Sequence, residues 1–223
     1  MKEGPLLMNG AMVRATLAGD KTNTRREVTT LGSFGLITGF DRSDTPGYDW
    51  HFRDSAMRWH DLRHTELLNA CPYGQVGDRL YVRETCKAEE LDDGSDGVRY
   101  LADDTFSHIR AGAEETEAWH KLFHYRGQQG AVVPSIHMPR WASRIMLEIT
   151  GVRVERLQDI SAADALAEGI DAEAARTTLS FVGMREICGP VAEFSVLWES
   201  INGPGSWDSN PWVWVVEFRR IEG

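Results

Sequence analysis

A chain of 223 residues with 42% hydrophobic and 26% charged residues can bury a core of its own, which excludes wholesale disorder. A net charge of −10 excludes a broad basic field that would neutralise long runs of phosphate, but leaves room for a small basic pocket for one nucleotide. The three cysteines, Cys71, Cys86 and Cys188, fit neither a zinc ribbon nor a disulfide framework, so free thiols in a cytoplasmic protein are expected.

Asn9, Gly10 and Arg14 interrupt the first apolar residues, so no signal-peptide core is read there, and no later stretch approaches a membrane span. Asn9 is a good N-cap, and Met8, Ala11, Met12 and Ala15 recur at helical spacing. A short helix over 9–19 follows, with Gly19 placed to end it in the left-handed conformation. Thr22 to Val28 reads as extended. Residues 31–70 carry several Gly and Pro and then a predicted helix over Ser55–Asn69, read together as a surface insertion. A turn-rich entry at Cys71–Asp78 leads into the strand Arg79–Glu84, with Leu80 and Val82 facing inward.

The stretch 88–133 is the least regular. Its acidic run Glu89–Gly97 reads as a solvated hairpin tip, since it lacks the closing glutamate of a calcium loop. Ile145, Leu147 and Ile149 alternate as a strand. Val152 and Val154 continue it as a second strand or a bent extension beyond Gly151. Ser161 caps a short helix through Glu168 that Gly169 stops, and 190–202 predicts a helix with Phe194, Leu197, Trp198 and Ile201 on one face. The run Trp212–Phe218 is apolar on nearly both faces, as a central or barrel-closing strand is. Short strands with few helices predict an α+β chain: one domain over 1–223, built on a small β-barrel flanked by short helices. Two long insertions, at about 31–70 and 88–133, interrupt it.

Leu17-Ala18-Gly19-Asp20-Lys21-Thr22-Asn23-Thr24-Arg25-Arg26 resembles the opening motif of the ASCH family. Gly77–Glu84 resembles that family's next strand, Ile160–Ile170 with Ala167-Glu168-Gly169 its short helix, and Val213–Phe218 its closing strand. Ser135–Arg144 resembles enlarged members of bacteriophage and prophage origin. The resemblance covers most of the chain outside the insertions. It implies a PUA-like barrel. It also implies, from the family's compact bacterial members, an amidohydrolase that removes an acyl group from the N4 amine of a cytosine nucleoside. The implied catalytic set is Lys21, Thr24 and Glu168, with Arg26 beside it and no cofactor. Other family members are ribonucleases or RNA-binding modules, so the alternatives are a non-catalytic RNA or modified-base binding module, or a metal-dependent ribonuclease.

Amide hydrolysis needs a nucleophile, a proton carrier and a group that holds the developing oxyanion. The Thr24 hydroxyl is weak without a base. Lys21 serves as that base only if neutral; otherwise Glu168 does, with Lys21 cationic. Three residues apart in a regular strand, Lys21 and Thr24 point to opposite faces, so the chemistry requires a bend between them. Trp141 and Tyr81 are candidates to stack a base, while Arg83 and Arg140 suit a phosphate or base edge and His137 a substrate carbonyl. Glu84 completes the candidate substrate contacts. The pairs His60/His64 and His120/His124 have a zinc-compatible spacing if helical, but lack the glutamate of a zinc-protease motif, so no metal is expected.

Overall fold

A computed structural model describes residues 1–110, 112–182 and 185–222. The chain begins with β1 (Glu3–Leu7) and α1 (Gly10–Ala18). The Asn9 side chain accepts from the Met12 N–H, and Gly19 at φ 89° closes the helix, as its capping residues predict. The chain then reverses: the N–H groups of Asp20 and Lys21 both return to the Ala15 carbonyl. Regular extended structure resumes only with β2 (Asn23–Glu27).

The next stretch departs from expectation. β3 (Thr30–Leu31), β4 (Gly35–Arg42), β5 (Trp50–Asp54) and β6 (Trp59–Leu62) form a four-stranded sheet, and α2 spans only His64–Asn69. The helix predicted from Ser55 is therefore corrected: its first half is the end of a hairpin. Alternation decides this, because Trp50 and Phe52 are wholly buried while His51 and Arg53 between them are not. These rings pack into the main core with Leu31, Leu62 and Leu67, so the segment is more than a surface addition.

β7 (Arg79–Arg83) buries Leu80 and Val82 as its alternation predicts. The acidic run then turns between β8 (Cys86–Glu90) and β9 (Asp96–Tyr100), followed by β10 (Thr105–His108) and α3 (Ala113–Phe123). This stretch is more regular than its sequence implies. Cys86, Ala88, Val98, Tyr100, Trp119 and Leu122 form a small separate core there.

β11 (Met146–Arg156) is one strand with a bulge between Ile149 and Gly151, which resolves the two readings in favour of the bent extension. α4 (Ala162–Ala167) is capped by Ser161, whose Oγ accepts from the Asp164 N–H at 3.0 Å. The hairpin β12 (Leu179–Val182) and β13 (Arg185–Cys188) precedes α5 (Pro190–Asn202) and β14 (Trp212–Ile221).

The principal sheet has five strands in the order β1-β7-β11-β14-β2. β14 is an interior strand next to the edge, with β11 on one side and β2 on the other, both antiparallel. Its two apolar faces serve two layers. Trp214, Val216 and Phe218 pack with Leu6, Leu80 and Leu147, while Val213 and Val215 pack with Phe194, Trp198 and Trp207 beneath α4 and α5. The fold is thus mixed α+β and rich in sheet. The expected barrel is not closed: among the described residues no ladder joins the edge strands β1 and β2. In its place the Arg26 guanidinium donates to the Leu7 carbonyl at 2.7 Å, spanning the gap with one side chain. No helix among the described residues is long and apolar enough to cross a membrane.

All three cysteines are free. Burial pushes the thiols of Cys71 and Cys86 up to about 11 and about 12, because a thiolate is poorly solvated there. Cys188 is exposed. Alkylation of the native protein near neutral pH is therefore expected to give a single adduct, on Cys188. Further adducts by mass spectrometry before unfolding would contradict this burial.

Candidate functional site

Two chain reversals bring the candidate residues together. The first is the turn after Gly19, which delivers Lys21. The second ends α4, where Gly169 at φ 89° lets the backbone pass so close that an added Cβ would lie 2.7 Å from the Ala15 Cβ and 3.2 Å from the Lys21 Cβ. Only glycine fits both the positive φ and the close approach. Lys21 and Glu168 consequently form an isolated antiparallel bridge, and the Thr22 N–H donates to the Ala167 carbonyl at 2.8 Å.

Lys21 is 2% exposed and Glu168 3%. The lysine Nζ donates to Glu168 Oε2 at 2.6 Å, and to the main-chain carbonyls of Glu168 and Asn23 at 2.9 Å each. Burial pushes the Lys21 pKa down, against the opposing pull of the Glu168 carboxylate. Three acceptors around one nitrogen match the three donors of an ammonium, since a neutral amine has only two. The geometry therefore favours a cationic Lys21 that donates, rather than a base.

Arg25 is the residue that sequence reasoning missed. Given no role from the sequence, it has a fully buried side chain. Its guanidinium reaches Glu155 at 2.6 Å, Asp164 at 3.2 Å and Glu168 at 3.4 Å. Arg153 joins Glu155 and Asp164 from β11, two strands away from β2, at 3.0 Å each. Lys21, Arg25 and Arg153 thus face Glu155, Asp164 and Glu168 in one network. The signal was the strand period: Arg25 pairs with Val215 of β14, on the face that α4 and α5 cover.

That same period sets Thr24 apart. It pairs with Val216 and so points to the opposite face from Arg25. Thr24 is buried, and its hydroxyl bonds to neither Lys21 nor Glu168. A cavity of about 40 Å³ nonetheless reaches both Thr24 and Glu168 along the free edge of β2. Met12 of α1 and Phe194, Leu197, Trp198 and Ile201 of α5 wall it, and Arg26 lines its rim. Among the described residues two buried polar atoms here lack partners, Asn23 Oδ1 and the Trp198 indole N–H. Such groups cost free energy unless water or a ligand meets them.

The remaining predicted contacts are not at this cavity. Arg83 donates to the Ile136 carbonyl. Glu84 is 1% exposed and held by Arg144 at 2.8 and 2.9 Å, a structural ion pair with no free oxygen edge for a ligand. Arg140 is paired with Glu3 and lies 4.9 Å from the Tyr81 ring centre. His137 and Trp141 line a separate cleft against α3. The pair His60/His64 does not share a helix face as supposed, whereas His120 in α3 and His124 at its C-cap lie with ring centres 6.4 Å apart. His60 sits in β6, bonded to Asp54 at 2.9 Å, and His64 opens α2, accepting from the Trp50 indole. The His124 ring contacts the His120 carbonyl. No group of three His, Cys, Asp or Glu side chains suited to a metal occurs among the described residues.

Comparison with known protein families, with curated proteins and with solved structures finds no match to this chain.

Proposed function

We propose that this chain hydrolyses an amide on the N4 nitrogen of a modified cytosine nucleoside, with N4-acetylcytidine the simplest substrate, on a PUA-like scaffold of the ASCH kind. The observation that carries the reading is a desolvated Lys21–Glu168 pair whose Glu168 lines a cavity that Thr24 also lines. In this reading the Thr24 oxygen attacks the acyl carbon. Glu168 takes the hydroxyl proton and returns it to N4 as the C–N bond breaks. The Lys21 ammonium, its three donors committed, keeps the Glu168 carboxylate ionised and in place, and the Arg26 guanidinium that lines the cavity faces the oxyanion. Water then hydrolyses the acyl-threonine, releasing acetate and restoring the hydroxyl.

The cavity of about 40 Å³ is far smaller than the roughly 300 Å³ or more of ligand pockets, so a nucleoside enters only when α5 withdraws. Positive-φ glycines, Gly189 and Gly203, bound that helix. Acetate release from N4-acetylcytidine tests the proposal. Thr24→Val is expected to lower turnover about a hundredfold or more. Equal turnover in the variant, or none in the native protein, would sink it. The alternative, a non-catalytic reader of a modified base, is favoured by one observation: Thr24 makes no hydrogen bond to the charged pair. It predicts nucleoside binding without product.

A further inference from the structure

A large concavity lies far from Lys21 in the chain, between α3 and the segment Ser135–Arg144. It has two parts, of about 830 Å³ and about 370 Å³, which share Glu114, Ala118 and Trp141. They are therefore two halves of one cleft, with Trp141 between them. Each half falls within the size range of small-molecule sites, roughly 300–1,000 Å³.

The chemistry of its walls is specific. Trp141 is 40% exposed and stacks on no other ring of the described residues. The Tyr125 hydroxyl, in the smaller half, is buried without a partner among the described residues. Arg144 is already neutralised by Glu84 and Asp103, and Arg140 by Glu3. Arg110 and Glu114, both lining the larger half, make no ion pair among the described residues. One aromatic face, one cation, the Glu114 and Glu115 carboxylates and one hydroxyl thus remain uncommitted around a single cleft.

We infer that this cleft binds a nucleoside monophosphate whose base carries an exocyclic amine. The base stacks on Trp141, since every base offers a π-face to an aromatic side chain. Glu114 accepts from the amine, as carboxylates do from the N4 amine of cytosine. Arg110 takes the phosphate through its guanidinium fork. The Tyr125 hydroxyl meets a polar atom of the ligand in the smaller half. The acidic side chains along α3 disfavour a long polyanion and leave a single phosphate as the fitting charge. This site is separate from the Lys21 cavity and does not depend on the amidohydrolase reading.

Calorimetric titration of the whole protein with cytidine 5′-monophosphate tests it. Trp141→Ala is expected to weaken binding about tenfold or more, the usual cost of a lost base stack. Arg110→Gln, at an exposed position, is expected to weaken it and flatten its salt dependence. Uridine 5′-monophosphate, which lacks the amine, is expected to bind more weakly than the cytidine nucleotide. Thr24→Val is expected to leave the affinity unchanged. No binding at millimolar nucleotide, or binding that Trp141→Ala and Arg110→Gln leave intact, would overturn the inference. So would loss of affinity in Thr24→Val alone, which would put the nucleotide in the other cavity. Equal affinity for both nucleotides would overturn the role of Glu114.

Discussion

Lys21→Met is expected to destabilise the protein by about 3–5 kcal/mol, because it strips the cation from a buried carboxylate and leaves two carbonyls without a donor. Lys21 and Glu168 are both nearly inaccessible, so water cannot replace the lost bonds. Arg25 keeps its hold on Glu168 at 3.4 Å and softens the loss without removing it. The double variant Lys21→Met/Glu168→Leu is expected to recover most of the stability, since an apolar pair of similar volume avoids the desolvation of both charges. Denaturant unfolding of the two variants measures both effects. Under the proposed chemistry neither variant releases acetate, although the double variant is folded. A folded double variant with native turnover would mean that the pair is scaffold and the chemistry lies elsewhere.

Arg144→Ala is the second substitution with a large expected effect. Arg144 binds both oxygens of Glu84 and both of Asp103, so one guanidinium ties β7 to the turn that follows β9. Glu84 is 1% exposed and would be left with a buried, uncompensated charge. The expected loss is about 3–5 kcal/mol, or roughly 10 °C in melting temperature for a chain of this size. The variant also changes the acid response. Arg144 holds the Asp103 carboxyl down at about 2, against an ordinary 3.8. A depressed carboxylate contributes stability that is full above its unfolded pKa and is lost as pH falls through the folded one. The native protein therefore loses this contribution between about pH 4 and pH 2, and Arg144→Ala should lack that step. Melting temperatures measured across this window check the sign. A native curve without the step would contradict the pairing.

Sequence reading succeeded where local rules act alone. Asn9 and Gly19 bound α1, Ser161 and Gly169 bound α4, and the doubly apolar run 212–218 is an interior strand of the sheet, each fixed by capping or by period. It failed at 55–69, where the turn at Met57, with φ 64°, lies inside a hairpin that only pairing with β4 and β5 reveals. The bend between Lys21 and Thr24, demanded by strand geometry, is present as the irregular link before Asn23. The meeting of Lys21 with Glu168 was accessible only through resemblance, because no local rule joins positions 147 residues apart. Arg25 was misjudged since a charged residue in a short polar segment looks solvated until its strand acquires covered neighbours. Trp141 and His137 line a cleft of their own against α3. Their grouping with Lys21 is what the three-dimensional arrangement does not support.

The interior position of β14 also has a consequence in time. On a ribosome, β2 emerges almost at once, yet its only ladder partner in the principal sheet begins at Trp212. Until that segment is made, Arg25 has no covered face to sit in, and the free edges of β2 and β11 stand open to wrong partners. Closing so long a loop before its contacts repay the entropy makes assembly slow, in the regime of non-local sheet proteins. The protein is therefore expected to depend on chaperones during synthesis far more than its mature, well-buried sheet would imply.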